Sequence, residues 1–486
     1  MSIALFSLLA EFLQNALRTR KKLKKAFFPL PLDFFDRLGY TETKNERSGA
    51  MFRAFRGGVR PAAQKKNTRR LSPVALDHPP ALVVLPLEWC CAVPRVLVKE
   101  GDRVRLGQKL AEPTGKGVPL HASVSGRVLS IEERPFRGGR GLAVILENDG
   151  QNTPVDREEP LPRKDRPDLL SPAEILKAVR ECGVVDMDRT CAPTYARLRE
   201  AEGKVDTLIL NAVECEPYVT STHRLLLERT EEILGGIRLL MRVLDLKEAT
   251  LAIGSDKGDA IAAFQKALPL RGGDIRVITT PVRYPQGEPW ALAQRVKHRR
   301  MSPGGPTLDV GCLVIPAATA AAVYDAVYLR KPLTSRLVTV AGGALGKPGN
   351  YTLPLGARIG DVLQEAGRKG RPARVVLGGA MTGEAITDLT MPIGKGEEAV
   401  LALSERECAG DGEESGSCVR CGRCVDVCPA GLEPYLLGAC SDAGKTEMLE
   451  KLDGARCLEC GACTYVCPSR IRLLESIRRG KAALRE

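Results

Sequence analysis

Two runs of cysteine near the end of the chain share one spacing, C-x-x-C-x-x-C-x-x-x-C-P. Their members are Cys418, Cys421, Cys424, Cys428 and Pro429 in the first, and Cys457, Cys460, Cys463, Cys467 and Pro468 in the second. In such a run the first three thiolates bind one [4Fe–4S] cluster and the fourth reaches the other. The spacing therefore predicts crossed ligand sets. One cluster takes Cys418, Cys421, Cys424 and Cys467, and the other takes Cys457, Cys460, Cys463 and Cys428.

Structural zinc is the alternative, because four thiolates also satisfy a zinc ion. Zinc motifs pair two C-x-x-C units, whereas here three close cysteines and a Cys-Pro end occur twice, which favours clusters. Gly422 and Gly461 let the backbone wrap closely around a cluster. A disulfide framework is disfavoured, because the remaining cysteines among the 16 are scattered without matching spacings. Two clusters without a redox catalyst of their own indicate an electron relay.

Length and net charge limit the number of domains and the kinds of partner that the protein can have. A chain of 486 residues is too long to fold around a single hydrophobic core. At about 150 residues per domain, it is expected to form three or four domains. A net charge of +13 predicts an anionic partner, either an acidic redox protein or a membrane surface, unless the basic surface is merely solvated. Nucleic acid is disfavoured, because no helix-turn-helix, zinc-finger or RNA-recognition motif is present. No apolar run approaches the roughly 20 residues that span a bilayer, so any membrane association is expected to be peripheral.

Residues 1–50 form an atypical leader. Arg18–Lys25 is basic and follows the apolar run Met1–Leu17, which is the reverse of the order in a signal peptide. One interpretation is an interfacial amphipathic helix with a basic tail. The favoured interpretation is that Met51 is the true start, because codons for Glu46-Arg47-Ser48 can contain a ribosome-binding sequence.

Residues 51–160 are predicted to form a β domain. Alternating apolar residues over Val96–Gln108 and Val118–Ile131, bounded by Gly-Asp and Ser-Gly turns, predict hairpins. The pattern resembles the barrel-sandwich fold of biotinyl and lipoyl carriers. Lys116 lacks the methionines that flank a carrier's modified lysine, so we interpret it as an ordinary turn residue. His121 is interpreted as structural, because no other ligand type clusters with it.

Residues 165–332 alternate helix and strand, which predicts a Rossmann-like parallel α/β domain. Sites in such sheets lie at the carboxyl ends of strands, here Asn211–Tyr218 and Tyr284–Glu288. A capped helix start is the structural alternative for the acidic residues that follow Asn211. The candidate binding residues are Glu214, Glu216, Tyr284, Gln286 and Glu288.

Four further segments complete an α/β multidomain fold. Residues 333–375 read strand, strand and short helix, which suggests a β-grasp module, and residues 376–414 are a return segment and linker. Residues 415–475 are a dicluster ferredoxin-like α+β domain. Residues 476–486 are a basic tail.

The order of these parts resembles the C subunit of the Rnf ion-translocating electron-transport complex. The matching motifs are F-R-G-G-V at Phe55–Val59, E-C-E-P-Y at Glu214–Tyr218, H-R-L at His223–Leu225, Y-P-Q-G at Tyr284–Gly287, and both cysteine runs. The resemblance implies a peripheral subunit on the cytoplasmic face of the inner membrane. It implies two [4Fe–4S] clusters, with FMN and NADH sites related to those of the flavin subunit of respiratory complex I. It implies membrane subunits, ferredoxin and NADH as partners of an ion-translocating oxidoreductase.

One loop departs from that family. The flavin loop, roughly G-x-V-G-x-G-G-A-G-F-P-T, corresponds here to residues 183–194, where glycines are replaced by Asp186, Asp188, Arg189 and Cys191. Side chains at glycine positions are expected to block the approach of amides to a phosphate, and the aspartates to repel it. In the same predicted pocket, the family's Glu and Asn appear as Pro289 and Pro316.

Three functions remain open at this point. The first is a working oxidoreductase subunit with NADH, FMN and clusters, and the second is a relay and docking subunit that has lost FMN and NADH binding. A third is a cobalamin reductase of the microcompartment type, which the F-R-G-G-V start and the position of the β domain disfavour.

Overall fold

The computed structural model describes residues 57–89, 93–156, 169–271, 273–298, 301–409 and 415–484. The predicted leader, the start at Met51 and the first two residues of the F-R-G-G-V motif lie outside these ranges. No helix in the described ranges is long and apolar enough to span a bilayer.

The first region is built from two antiparallel sheets. Its strands are β2 (Leu82–Pro86), β3 (Pro94–Val96), β4 (Arg103–Val104), β5 (Lys109–Pro113), β6 (Leu120–His121), β7 (Gly126–Phe136) and β8 (Gly139–Asn148). One sheet has the order β2-β8-β7-β4 and the other β3-β5-β6. Fully buried side chains such as Val83, Leu110 and Leu146 fill one shared core.

The strands of this region are where the sequence predicts β structure, but the predicted hairpins are wrong. β3 pairs with β5 and β4 with β7, so the strands within Val96–Gln108 do not pair with each other. The same holds for β6 and β7. The chain crosses from one sheet to the other at these turns, which closes the core from both sides. Lys116 lies exposed between β5 and β6, and burial lowers the pKa of His121 to about 3.

The second region is a four-stranded parallel sheet with helices. Its strands are β9 (Thr207–Ala212), β10 (Ala249–Gly254), β11 (Ile275–Thr280) and β12 (Cys312–Pro316). Its helices are α1 (Pro172–Glu181), α2 (Thr194–Ala201), α3 (Ser221–Glu228), α4 (Thr230–Leu244), α5 (Gly258–Arg271), α6 (Pro289–Lys297) and α7 (Ala317–Tyr328). Ser171 caps α1 in a capping box with Glu174.

The strand order of this sheet determines where a ligand can bind. The order is β11-β10-β9-β12, and every neighbouring pair is parallel. All six residues of β10 are buried, as expected for a parallel strand covered on both faces. From β9 the chain adds β10 and β11 on one side and then β12 on the other, so the strand order reverses between β9 and β12. A crevice opens beyond the carboxyl ends of the strands at such a point.

The third region is a mixed six-stranded sheet. Its strands are β1 (Val74–Ala75), β13 (Ser335–Ala341), β14 (Gly349–Pro354), β15 (Arg374–Leu377), β16 (Glu384–Ile386) and β17 (Ala399–Leu403), with helix α8 (Ile359–Glu365). The order is β1-β14-β13-β17-β15-β16. The sheet extends beyond the predicted module 333–375, because β16 and β17 come from the stretch predicted as return segment and linker. Those strands are short and follow glycines, which hid them in the sequence.

The C-terminal region is helical. It contains α9 (Arg423–Asp426), α10 (Pro434–Asp442), α11 (Thr446–Lys451), α12 (Ala462–Tyr465) and α13 (Leu473–Ala483). The predicted boundary at residue 475 falls inside α13, so residues 476–483 are not a free tail. Ile477 is buried, and Lys481 Nζ donates to the Cys457 carbonyl oxygen at 2.7 Å.

Candidate functional site

Each predicted group of four cluster cysteines lines its own cavity. One cavity is bordered by the outer cysteine set, Cys418, Cys421, Cys424 and Cys467. The other is bordered by the inner cysteine set, Cys428, Cys457, Cys460 and Cys463. The structure thus gathers the cysteines in the two crossed groups that the spacing predicts, with the fourth cysteine of each run beside the first three of the other.

The two cysteine loops repeat one backbone conformation. Arg420 and Glu459 occupy the same position in the two runs, and both have φ of 54°. Gly422 and Gly461, which precede α9 and α12, have φ of 77° and 75°. Glycine adopts this left-handed conformation at little cost, so each loop turns tightly enough for its thiols to face one space.

The two sets differ in exposure. Cys418 and Cys421 are exposed to solvent, whereas Cys460 and Cys463 are each 8% exposed. Backbone from distant segments covers the inner set. A Cβ on Gly57 would lie 2.7 Å from the Cys428 carbonyl carbon. The outer set therefore faces solvent and the inner set faces the rest of the protein.

Tyr284 connects the inner set to the parallel sheet. Its side chain is 2% exposed, and its hydroxyl donates to the Cys460 carbonyl oxygen at 2.6 Å. Its backbone exchanges two hydrogen bonds with Val59, at 2.8 and 2.9 Å, and the neighbouring Gly58 amide donates to the Val427 carbonyl oxygen at 2.7 Å. Segment 57–59 thus joins the loop after β11 to the cysteine region.

A pocket of about 260 Å³ opens at the carboxyl edge of the parallel sheet. Asn211 at the end of β9 and Pro316 at the end of β12 both line it, so it lies where the strand order reverses. Four of the five candidate binding residues, Glu214, Glu216, Tyr284 and Glu288, also line it. The fifth, Gln286, is 3% exposed and lies outside the lining.

Glu214 acts first as a helix cap. Its Oε1 accepts from the amides of Thr222 and His223 at 2.6 and 3.2 Å, in the first turn of α3. The structural alternative raised for this residue is therefore correct. Its Oε2 lies 3.7 Å from the ammonium groups of Lys65 and Lys257, so the buried charge is also neutralised.

Glu216 and Glu288 are partly buried carboxyls with fewer partners. Glu216 accepts from the Met381 amide at 2.9 Å and from the Thr382 hydroxyl at 2.6 Å. Glu288 lies 3.6 Å from the Arg189 guanidinium. Burial raises the pKa of both carboxyls, because a low-dielectric environment disfavours the charged form.

The amides of the glycine-poor loop are largely occupied within the protein. Eight of them donate to internal acceptors at 2.8 to 3.4 Å: those of Gly183, Val184, Asp186, Met187, Thr190, Cys191, Ala192 and Thr194. Cys191 still has φ of 46°, the left-handed conformation that glycine would adopt without strain. The loop therefore keeps a glycine-like turn but satisfies most of its own donors.

Asp186 does not face the pocket, and the prediction that it repels a ligand is wrong for this residue. Its side chain is fully buried, accepts from the Thr194 hydroxyl at 2.9 Å and forms an ion pair with Arg197. Burial raises the pKa of this carboxyl to about 6, against the lowering effect of Arg197. Asp188 and Arg189 do line the pocket.

Two buried cations from the third region hold the loop in place. Lys395 Nζ donates to the Gly183 carbonyl oxygen at 2.9 Å, and Arg336 donates to the Met187 carbonyl oxygen at 3.1 Å. A further bond joins Arg336 to the Lys395 carbonyl oxygen. Sequence reasoning missed both residues, because nothing local marks a lysine or arginine that folds onto a loop of another region.

Glu398 is a third missed residue. It lines the pocket, lies 3.9 Å from Arg336, and has its pKa raised to about 7. Burial is the main cause, opposed by Arg336 and reinforced by Glu214, Asp188 and Glu216. Lys257 was within reach of sequence reasoning, since it follows β10 as Glu214 follows β9.

Three family models match separate parts of the chain. Residues 179–325 match the Nuo51 FMN-binding domain, residues 53–151 match the RnfC barrel sandwich hybrid domain, and residues 417–471 match a 4Fe-4S dicluster domain. The protein is therefore a mixed α/β chain with these three kinds of domain.

Whole-length relatives agree with these matches. The C subunit of the proton-translocating ferredoxin:NAD(+) oxidoreductase complex of Clostridium ljungdahlii is 35% identical over 392 residues, covering 80% of this chain and 84% of that protein. The C subunit of the Na(+)-translocating complex of Acetobacterium woodii is 33% identical, covering 78% and 85%. The C subunit of the ion-translocating oxidoreductase complex of Rhodobacter capsulatus is 34% identical, covering 82% and 77%.

The two loop aspartates should differ in their effect on stability. Asp186→Ala should lower the free energy of unfolding by about 2–3 kcal/mol, because it leaves the Arg197 guanidinium without its buried partner. Asp188→Ala, at a half-exposed position, should change it by less than about 1 kcal/mol. Scanning calorimetry of both variants measures the difference. Equal losses of stability would contradict the distinct roles assigned to the two side chains.

Proposed function

Because this chain belongs to the family of C subunits of Rnf-type ion-translocating ferredoxin:NAD(+) oxidoreductase complexes, we propose that it is the peripheral iron–sulfur subunit of such a complex. It lies on the cytoplasmic face of the inner membrane and binds membrane subunits of the complex. It passes electrons between ferredoxin or another acidic redox protein, NAD(H) and those membrane subunits.

The observation that carries this proposal is the pair of cavities, each lined by four thiols of a crossed set. The four thiols that line each cavity match the number of cysteine ligands of a [4Fe–4S] cluster. The outer and inner sets are the ligands that we assign to two [4Fe–4S] clusters.

The domain matched at residues 179–325 is an FMN-binding domain, and the strand-end pocket is the place in it that suits a flavin. FMN, when bound, exchanges hydride with nicotinamide and single electrons with iron–sulfur clusters. Glu216, Glu288 and Tyr284 line that pocket, and Glu214 holds α3 against it.

The contacts also support an order for electron transfer. Tyr284 borders the pocket and donates to the Cys460 carbonyl, so the inner set lies next to the pocket. Cys418 and Cys421 of the outer set are exposed. Electrons entering at the pocket then pass the inner set first and leave from the outer set to a partner protein.

We assign the parallel sheet to a Rossmann-like domain and part of the six-stranded sheet to a β-grasp module. The strand order β11-β10-β9-β12 and the packing of α8 on a mixed sheet support these assignments. The order of the described regions gives no support to the alternative of a cobalamin reductase, and neither do the C subunits to which the chain is similar.

A relay subunit without flavin chemistry is the second candidate function. The eight internally bonded amides of the loop favour it, because they are unavailable to a phosphate. The two candidates share the clusters and differ in whether the purified protein retains flavin.

Removing one crossed ligand should empty one site only. Cys467→Ala and Cys428→Ala should each reduce iron and sulfide from about eight to about four per chain. In Cys467→Ala, anaerobic alkylation mapped by mass spectrometry should label Cys418, Cys421 and Cys424, because they share the emptied site. Labelling of Cys457, Cys460 and Cys463 instead would show that each run binds its own cluster.

The same variant tests the function. With FMN bound, NADH should reduce the remaining inner cluster of Cys467→Ala, seen by electron paramagnetic resonance, while reduction of that cluster by reduced ferredoxin should be lost. The unaltered protein should be reduced by both donors. Undiminished reduction of Cys467→Ala by reduced ferredoxin would rule out the outer set as the point of electron exchange with ferredoxin.

Binding of FMN should weaken as pH rises through 7. Glu398 has its pKa raised to about 7, so it becomes negatively charged in that range and repels a phosphate. Glu398→Gln should bind FMN equally well at pH 6 and about threefold more tightly than the unaltered protein at pH 8. Fluorescence titration at both pH values measures this, with riboflavin, which lacks the phosphate, as the control. An unchanged ratio across pH would remove Glu398 from the binding site.

A further inference from the structure

Arg189 is the most available cation in the strand-end pocket. Its side chain is 45% exposed, and its ionic contact among the described residues is the 3.6 Å approach to Glu288. That distance exceeds a hydrogen bond, and no acceptor in the described part of the chain bonds its guanidinium. The other lining arginine, Arg137, is 24% exposed and lies 3.9 Å from the buried Glu397.

Two backbone donors accompany this guanidinium. Eight amides of the loop have internal acceptors, but those of Asp188 and Arg189 donate to no atom of the described residues. Both residues line the pocket. The loop therefore presents two consecutive amides and one guanidinium beside the same cavity.

We propose that Arg189, together with the Asp188 and Arg189 amides, binds the phosphate group of the pocket's ligand. A guanidinium offers several donors in a planar arrangement that suits phosphate oxygens, and adjacent backbone amides add donors of fixed direction. In this chain the charged Arg189 side chain binds the phosphate that backbone amides bind in a glycine-rich loop, because most amides of its own loop already have internal acceptors.

The carboxylates of the pocket do not exclude an anion. Glu214 lies between Lys65 and Lys257, and Arg336 is close to Glu398. Glu288 already faces Arg189 itself, so a phosphate would exchange one long ion contact for direct hydrogen bonds. Asp188 Oδ1 accepts from the Thr190 amide and hydroxyl at 2.8 and 2.6 Å, which turns its charge toward its own loop.

This inference rests on the proposed flavin function, and two ligands carry the required group. FMN has a terminal phosphate, and NADH has a diphosphate. Riboflavin is FMN without its phosphate, and reduced nicotinamide riboside is the nicotinamide half of NADH without the diphosphate and the adenosine. Comparing each ligand with its phosphate-free counterpart identifies the source of the bound group.

The test uses the full chain, purified anaerobically with its clusters and stripped of flavin. FMN and riboflavin are titrated by flavin fluorescence, and NADH and reduced nicotinamide riboside by calorimetry. Arg189→Ala should weaken binding of FMN by about tenfold or more and leave riboflavin unchanged. The FMN affinity of Arg189→Lys should lie between those of Arg189→Ala and the unaltered protein. Arg199→Ala, an exposed arginine on α2, is the matched control and should bind as the unaltered protein does.

Each outcome decides the matter. A loss confined to NADH also supports the proposal and assigns the site to the dinucleotide. Equal FMN and NADH affinities for Arg189→Ala and the unaltered protein would overturn it while leaving the flavin function intact. An unaltered protein that binds neither ligand would overturn both, and that failure is visible before any variant is made. Arg189→Gln, which keeps length without charge, replaces Arg189→Ala if the latter loses its cluster absorbance.

Discussion

The hydrogen bond between the Tyr284 hydroxyl and the Cys460 carbonyl is the contact on which the arrangement of the two sites depends. It closes a buried junction that also contains the Val59 backbone pairing and the Gly58 bond to Val427. Electron transfer demands that donor and acceptor be held close, and a buried hydrogen bond in a dry junction is costly to break. One tyrosine thus supplies a wall of the ligand pocket and an anchor for the inner cysteine set.

A second constraint acts on the opposite side of the pocket. Arg336 and Lys395, both nearly fully buried, bind carbonyl oxygens of the loop at residues 183–187. The loop belongs to the parallel-sheet region, whereas its two anchors belong to the six-stranded sheet. The pocket is therefore shaped jointly by two regions, and the loop cannot be understood from its own residues. Its loss of glycine is accompanied by an internal network that fixes it in one conformation.

Sequence reasoning succeeded where the determinants are local. The cysteine spacing predicts the grouping seen in the two cavities, because three thiols of each group lie within seven residues and the repeated run supplies the distant fourth. Glu214 and Tyr284 follow strands that alternation makes visible. It failed where contacts bridge distant positions. Lys65 reaches the Glu214 carbonyl from 149 residues away, and Lys395 reaches Gly183 from 212 residues away. Asp186 was misplaced for the same reason, since only the fold reveals that Arg197 lies behind it. The predicted hairpins failed because local alternation does not specify which strand is the partner.

The cover over the inner cysteine set has a consequence for biogenesis. Segment 57–59 lies against Cys428, and the Met381 carbonyl lies so close to Gly461 that a Cβ there would approach it to 3.0 Å. A cluster at the inner set would therefore be harder for incoming iron and sulfide to reach than one at the outer set, where Cys418 and Cys421 face solvent.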